Sequence, residues 1–152
     1  SIHVDGAGTL ITTEQCLLNK NRNPNLSKIE IEENLKKYLN IKKIIWLKHG
    51  TDEGTDGHVD NIACFADENK VLALACNDKQ DPFYDKLNEN LEILKTEKDA
   101  GGRRLEVIEI DQKYKMTLLI GNTYLLELIL SSFDSTKIDQ IKKMKELKLS
   151  SS

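Results

Sequence analysis

Residues 55–61 read Thr-Asp-Gly-His-Val-Asp-Asn. An imidazole and carboxylates stand there beside one glycine and one apolar side chain. Histidine takes up or releases a proton near neutral pH. A carboxylate grips a cation, and a guanidinium especially well, because its two oxygens match the planar N–H fork. His58 and Asp60 are therefore candidates for receiving a flat cation and moving its protons. The plainer alternative is a histidine and an aspartate hydrogen-bonded within a turn.

The neighbouring segments say how the pair is positioned. An acidic loop, residues 51–54, precedes it, and an apolar run, residues 62–66, follows. That context predicts a loop feeding a buried strand. If residues 58–60 are already extended, His58 and Asp60 share one face and Val59 points into packing. Gly57 allows a sharp turn or close approach to a ligand. A second His-x-Asp pair, His3 and Asp5, opens the chain. With His58 and Asp60 it supplies nitrogen and oxygen donors for a hydrolytic zinc or manganese site, although the spacing matches no named metal motif.

The 152 residues suffice for a domain with a real core. At 39% hydrophobic and 31% charged, the composition is that of a soluble globular chain. Aromatics are only 5%, so the core is expected to be mostly Leu, Ile and Val. A net charge of −3 argues against nucleic acid as partner and suits a small cation. Cys16, Cys64 and Cys76 are odd in number, fit no zinc spacing and sit in apolar, strand-like runs. They read as reduced, buried small hydrophobes in a cytoplasmic protein. No signal peptide is legible, no membrane is implied, and the chain opens on Ser1, so a start upstream is expected.

Along the chain, residues 1–18 predict a hairpin that turns at Asp5-Gly6-Ala7-Gly8 and runs extended from Thr9. Residues 19–25 predict a loop in which Arg22 ties down the backbone or lies near the site. Ser27 and Glu30 form a capping box for a helix with Ile31, Leu35, Tyr38 and Leu39 as its apolar stripe, ended by Asn40. A strand is expected at 43–47, a hairpin at 61–66 and 71–76, and a helix after Asp81-Pro82 with Leu87, Leu91 and Leu94 inward. A turn at 99–103 leads to a half-buried strand at 105–110. Residues 115–130 are apolar and ambiguous, 135–149 predict an amphipathic helix, and 150–152 a frayed tail. The order is mixed α/β with repeated ββαβ units. Ile2-His3-Val4-Asp5-Gly6 echoes Gly57-His58-Val59-Asp60-Asn61, which suggests a propeller of similar modules.

Four stretches, SIHVDGAGTLITTEQCLLNKNRNP, TDGHVDNIACF, KVLALA and DAGGRRLEVIEI, resemble the agmatine deiminase family of the guanidino-modifying pentein superfamily. The likeness covers residues 1–110; residues 111–149 look diverged or shortened. It implies a partial pentein-type α/β propeller, two to three of five ββαβ blades. It also implies hydrolysis of agmatine to N-carbamoylputrescine and ammonia, on a route to putrescine. No metal or cofactor is implied. A cysteine attacks the guanidinium carbon, a histidine handles the protons, and carboxylates hold the nitrogens. Such anchoring aims the carbon at sulfur, and histidine suits proton transfer in both half-reactions.

By this resemblance His58 matches the proton-transfer histidine and Asp60 the guanidinium-binding carboxylate. A further acid is expected directly before the motif's Thr. Here Gly54 lies between Glu53 and Thr55, leaving Glu53 or Asp52 for that role. The family's nucleophile lies in a glycine-rich motif ending Asn-Ile-His-Cys, which this sequence does not contain. Cys16, Cys64 and Cys76 match other positions. The resemblance therefore implies an internal fragment, truncated product or degenerate copy, inactive alone and completed by missing segments or self-association. The alternative function is a non-catalytic module that binds a guanidinium or a partner chain.

Overall fold

The computed structural model describes residues 1–112. The expectations for 115–130, 135–149 and 150–152 lie outside the described residues. Two three-stranded sheets are built the same way. In the first, β1 (Ile2–Val4) pairs antiparallel with β2 (Thr9–Thr13). The turn between them is set by Asp5, whose Oδ1 accepts from the backbone N–H groups of Ala7 at 2.7 Å and Thr9 at 2.8 Å. β2 then pairs in parallel with β3 (Lys43–Leu47), from Thr9 opposite Lys43 to Thr13 opposite Leu47. A parallel pair needs a long crossover, and a helix, α2 (Lys28–Leu39), provides it. All of β2 is buried, as a central strand of such a sheet should be.

The second sheet repeats the scheme. β4 (Ala63–Asp67) and β5 (Lys70–Ala75) form an antiparallel hairpin, with an irregularity between Phe65 and Asp67. A helix, α3 (Tyr84–Thr96), carries the chain across to β6 (Glu106–Asp111), parallel to β5. The expected ββαβ order therefore occurs twice among the described residues. Leu87, Leu91 and Leu94 are buried as expected, and Asn90 is buried with them on α3. His3 and Phe65 link the modules: the Phe65 backbone N–H donates to His3 Nδ1 at 3.2 Å.

Two local expectations are corrected. The extended run from Thr9 stops at Thr13, and Glu14–Leu17 forms a single helical turn, α1. Thr13 causes the break. Its backbone stays extended while its Oγ1 accepts from the Cys16 backbone N–H at 3.1 Å, an N-cap. Cys16 thus sits on a helical turn rather than in a strand. On α2 the capping box forms, and Asn40 ends the helix in the left-handed region. Ile31 is buried, but Tyr38 is 73% exposed and Leu39 45%, so the last turn does not pack as the stripe predicts. The inward side instead holds a polar contact, Trp46 Nε1 donating to Glu32 Oε1 at 2.9 Å.

Candidate functional site

The loop after β3 is positioned from both ends. Asn90 on α3 holds its start: Oδ1 accepts from the Lys48 and His49 backbone N–H groups at 2.8 and 3.3 Å, and Nδ2 donates to His49 O at 2.7 Å. Lys48 also bonds Glu14 on α1 at 2.9 Å, and Lys28 meets the same carboxylate at 2.9 Å. Burial alone would raise the Glu14 pKa, but the hydrogen bonds and charges of Lys48 and Lys28 outweigh it and hold it below the ordinary value. The hydrogen bond to Glu14 raises Lys48.

Further on, the loop closes on itself. Asp52 caps a short 3-10 turn, Glu53–Thr55, with Oδ1 accepting from the Gly54 N–H at 3.0 Å. The Gly57 N–H donates to Asp52 O at 2.8 Å. Asp56 and Gly57 both take positive φ, 55° and 77°. Here glycine is required: a Cβ on Gly57 would lie 2.6 Å from Gln15 Cδ, and one on Gly50 would lie 2.3 Å from Gly57 Cα. Thr13 then fastens the turn, its Oγ1 donating to Gly57 O at 2.6 Å.

His58 and Asp60 come together, but not by strand alternation. Val59–Asn61 is a second 3-10 turn with His58 as its N-cap residue. The Ile62 N–H closes that turn on Val59 O at 2.9 Å, so β4 starts only at Ala63. His58 Nδ1 and Asp60 Oδ1 are 3.7 Å apart, on the same side of the backbone. The His58 side chain is 23% exposed and the Asp60 side chain 59%. Val59 is fully buried, as expected.

Arg22 and Asp56 complete the cluster. Arg22 Nε donates to Asp56 Oδ2 at 3.0 Å, and Nη2 lies 3.3 Å from both Thr55 O and His58 Nε2. Asn19 Nδ2 donates to Asp56 Oδ1 at 3.2 Å. Arg22 therefore fills both roles weighed for it, loop anchor and neighbour of the site. Asp56 was missed as a site residue. Its signal was available in the Asp-Gly pair, which favours the left-handed turn that aims its carboxylate. Asp52 and Glu53 make no hydrogen bond or ion pair with His58 or Asp60. Asp52 caps its turn, and Glu53 is exposed.

The metal alternative is corrected. No group of three or more His, Cys, Asp or Glu among the described residues is placed to hold a metal ion. His3 Nδ1 accepts from Phe65, and Asp5 Oδ1 caps its turn. Cys16 and Cys76 are buried, and Cys64 is half-buried.

The geometry invites comparison with known proteins. A family model described as Porphyromonas-type peptidyl-arginine deiminase matches residues 1–143. The agmatine deiminase of Medicago truncatula is 53% identical over 112 residues, which is 72% of this chain and 30% of that protein. The structure of the agmatine deiminase of Enterococcus faecalis catalyzing its reaction superposes with a TM-score of 0.71 at 45% identity, covering 73% of this chain and 31% of that one. A cysteine-to-serine variant of the C. jejuni agmatine deiminase with substrate bound gives 0.65 at 37% identity, covering 73% and 32%. The chain spans about a third of the length of the curated relatives that it matches. By sequence and by its mixed α/β pentein fold, this chain belongs to the Porphyromonas-type peptidyl-arginine deiminase family.

Proposed function

We propose that this chain carries the guanidinium-receiving part of an agmatine deiminase, which turns agmatine and water into N-carbamoylputrescine and ammonia. The observation that carries this reading is the side-by-side placement of His58 and Asp60, 3.7 Å apart, within a 112-residue stretch that is 53% identical to an agmatine deiminase. Asp60 is the exposed carboxylate beside His58 and the group for the substrate's nitrogens. A guanidinium stays charged at neutral pH and offers five N–H donors in a fork, so a carboxylate both holds and orients it. His58 is the proton carrier, for departing ammonia and then for attacking water. Asp52 or Glu53, the two acids that precede the motif's Thr55, is the candidate for a second carboxylate.

The thiol of the reaction is none of the three cysteines described above. A reactive thiol wants an electropositive, accessible setting, whereas Cys16 and Cys76 are buried and Cys64 is half-buried within β4, and by the family resemblance all three stand at positions other than the nucleophile's. The chain alone is therefore expected to bind agmatine without releasing ammonia. The likeness to agmatine deiminases favours agmatine over free arginine as substrate, and competition between the two in one titration separates them.

Calorimetric titration of agmatine into the full chain tests the site. Asp60→Asn is expected to weaken binding about tenfold, the lower end for losing a charged hydrogen-bond partner. Unchanged affinity in both Asp60→Asn and His58→Ala removes the reading. Sustained ammonia release by the chain alone refutes the assignment of the thiol.

A further inference from the structure

We infer that Arg22 is a positioning residue that selects the tautomer of His58, leaving Nε2 unprotonated and placing the ring proton on Nδ1, toward Asp60. The argument begins with what each group can do. A guanidinium has N–H donors and no acceptor, and a neutral imidazole has one donor nitrogen and one acceptor nitrogen. Arg22 Nη2 lies 3.3 Å from His58 Nε2. That contact is a hydrogen bond only if Nε2 presents its lone pair. A proton on Nε2 would set two N–H groups against each other.

Asp60 does not fix the ring by itself. Its Oδ1 is 3.7 Å from Nδ1, beyond hydrogen-bond reach, and its side chain is 59% exposed. Asp60 favours a proton on the nearer nitrogen without holding the ring in place. Arg22, in contrast, is held on its far side. Its Nε donates to Asp56 Oδ2 at 3.0 Å, and Asn19 bonds the other oxygen of that carboxylate at 3.2 Å. Nη2 also reaches Thr55 O at 3.3 Å. The fork is thus fixed by groups of the turn that presents His58, and one N–H is left for the ring. Asp56 balances the Arg22 charge within the cluster.

For the proposed reaction, on whose reading of His58 this consequence rests, the tautomer decides which nitrogen does what. Nδ1–H faces the side where Asp60 receives the cation. A proton taken up by the ring goes to Nε2 and displaces Nη2, while Nε keeps Arg22 tethered to Asp56. Arg22 and the incoming proton therefore exclude each other at one atom.

The test is nitrogen-15 NMR of the full chain with labelled histidine, without agmatine, near pH 8, well above the ordinary histidine pKa of roughly 6.5. The signals of His58 are identified by their loss in His58→Ala. The expected result is an unprotonated Nε2 and a protonated Nδ1 in the parent chain. In Arg22→Ala, Nε2 moves toward the protonated region. Arg22→Lys, which keeps a cation and N–H donors, retains part of the parent signature. A merely structural role for Arg22 would not move this readout. A parent chain with Nε2 protonated overturns the inference, and so does an unchanged tautomer in a folded Arg22→Ala. If Arg22→Ala fails to fold, Arg22→Met, which keeps the chain length without an N–H donor, takes its place, and an unchanged tautomer there overturns the inference equally. Agmatine titrated into the same sample reports separately on the substrate reading, so the failure of one is not mistaken for the failure of the other.

Discussion

Gly57→Ala perturbs the turn that presents His58, and Gly6→Ala is its internal control. The two glycines have nearly the same φ, 77° and 80°. Any L side chain there meets the left-handed penalty, about 1–2 kcal/mol. Around Gly6 a new Cβ meets nothing within 4 Å, so the penalty is the whole cost. At Gly57 the Cβ would lie 2.6, 2.8 and 2.9 Å from Gln15 Cδ, Oε1 and Cγ. Gln15 must move, and its Oε1 then no longer accepts from the buried Gly50 N–H, now 2.9 Å away. Leaving that donor unpaired costs a further ~1–3 kcal/mol. The expected totals are about 2–5 kcal/mol for Gly57→Ala against about 1–2 for Gly6→Ala. Urea unfolding followed by Trp46, the single tryptophan and 9% exposed, reads both from their midpoints. Adding Gln15→Ala to Gly57→Ala should cost less than the sum of the two, since both lose the same bond. Equal destabilisation by Gly57→Ala and Gly6→Ala would refute the reasoning.

Three further outcomes follow from the same contacts. Thr13→Val leaves Gly57 O and the Cys16 N–H without their partner and should cost about 2–4 kcal/mol by calorimetric melting, whereas Thr13→Ser should recover most of it. Asn90→Ala removes three hydrogen bonds to the start of the loop, costs about 2–4 kcal/mol, and speeds hydrogen exchange at the Lys48 and His49 amides. Glu14, held below its ordinary pKa in the fold, contributes stability that is present above roughly pH 4.3 and lost as pH falls through its folded value. Urea midpoints should therefore drop on acidification below that point, and Glu14→Gln should flatten part of the drop.

Much of the fold could be read from local chemistry. Ser27 and Glu30 announce α2, the leucines of α3 repeat on one face, and Asp5-Gly6-Ala7-Gly8 marks a turn with a mechanism. These are signals between residues close in sequence, and they survive folding. Thr13 was legible only as one more β-branched strand residue, because its capping role depends on the bond it also makes to Gly57, 44 residues away. Tyr38 and Leu39 satisfied the helical period, yet which part of a helix packs is decided by neighbours the period does not see.

The candidate site was legible as residue types and less so as geometry. His58 and Asp60 were named from the motif, and they do meet, but through a 3-10 turn that alternation rules do not describe. Arg22 reaches His58 from 36 residues away, and nothing local in Asn-Arg-Asn says which turn it will cover. Asp56 escaped because an aspartate before glycine explains itself as a turn residue, whereas its carboxylate also seats Arg22.

The most direct measurement compares agmatine with putrescine, the diamine left when the guanidinium carbon is removed, by following the ring signals of His58 as each is added to saturation. If His58 and Asp60 receive a planar cation, agmatine moves those signals and putrescine leaves them nearly in place. Equal shifts with both amines, or none with either, would contradict it.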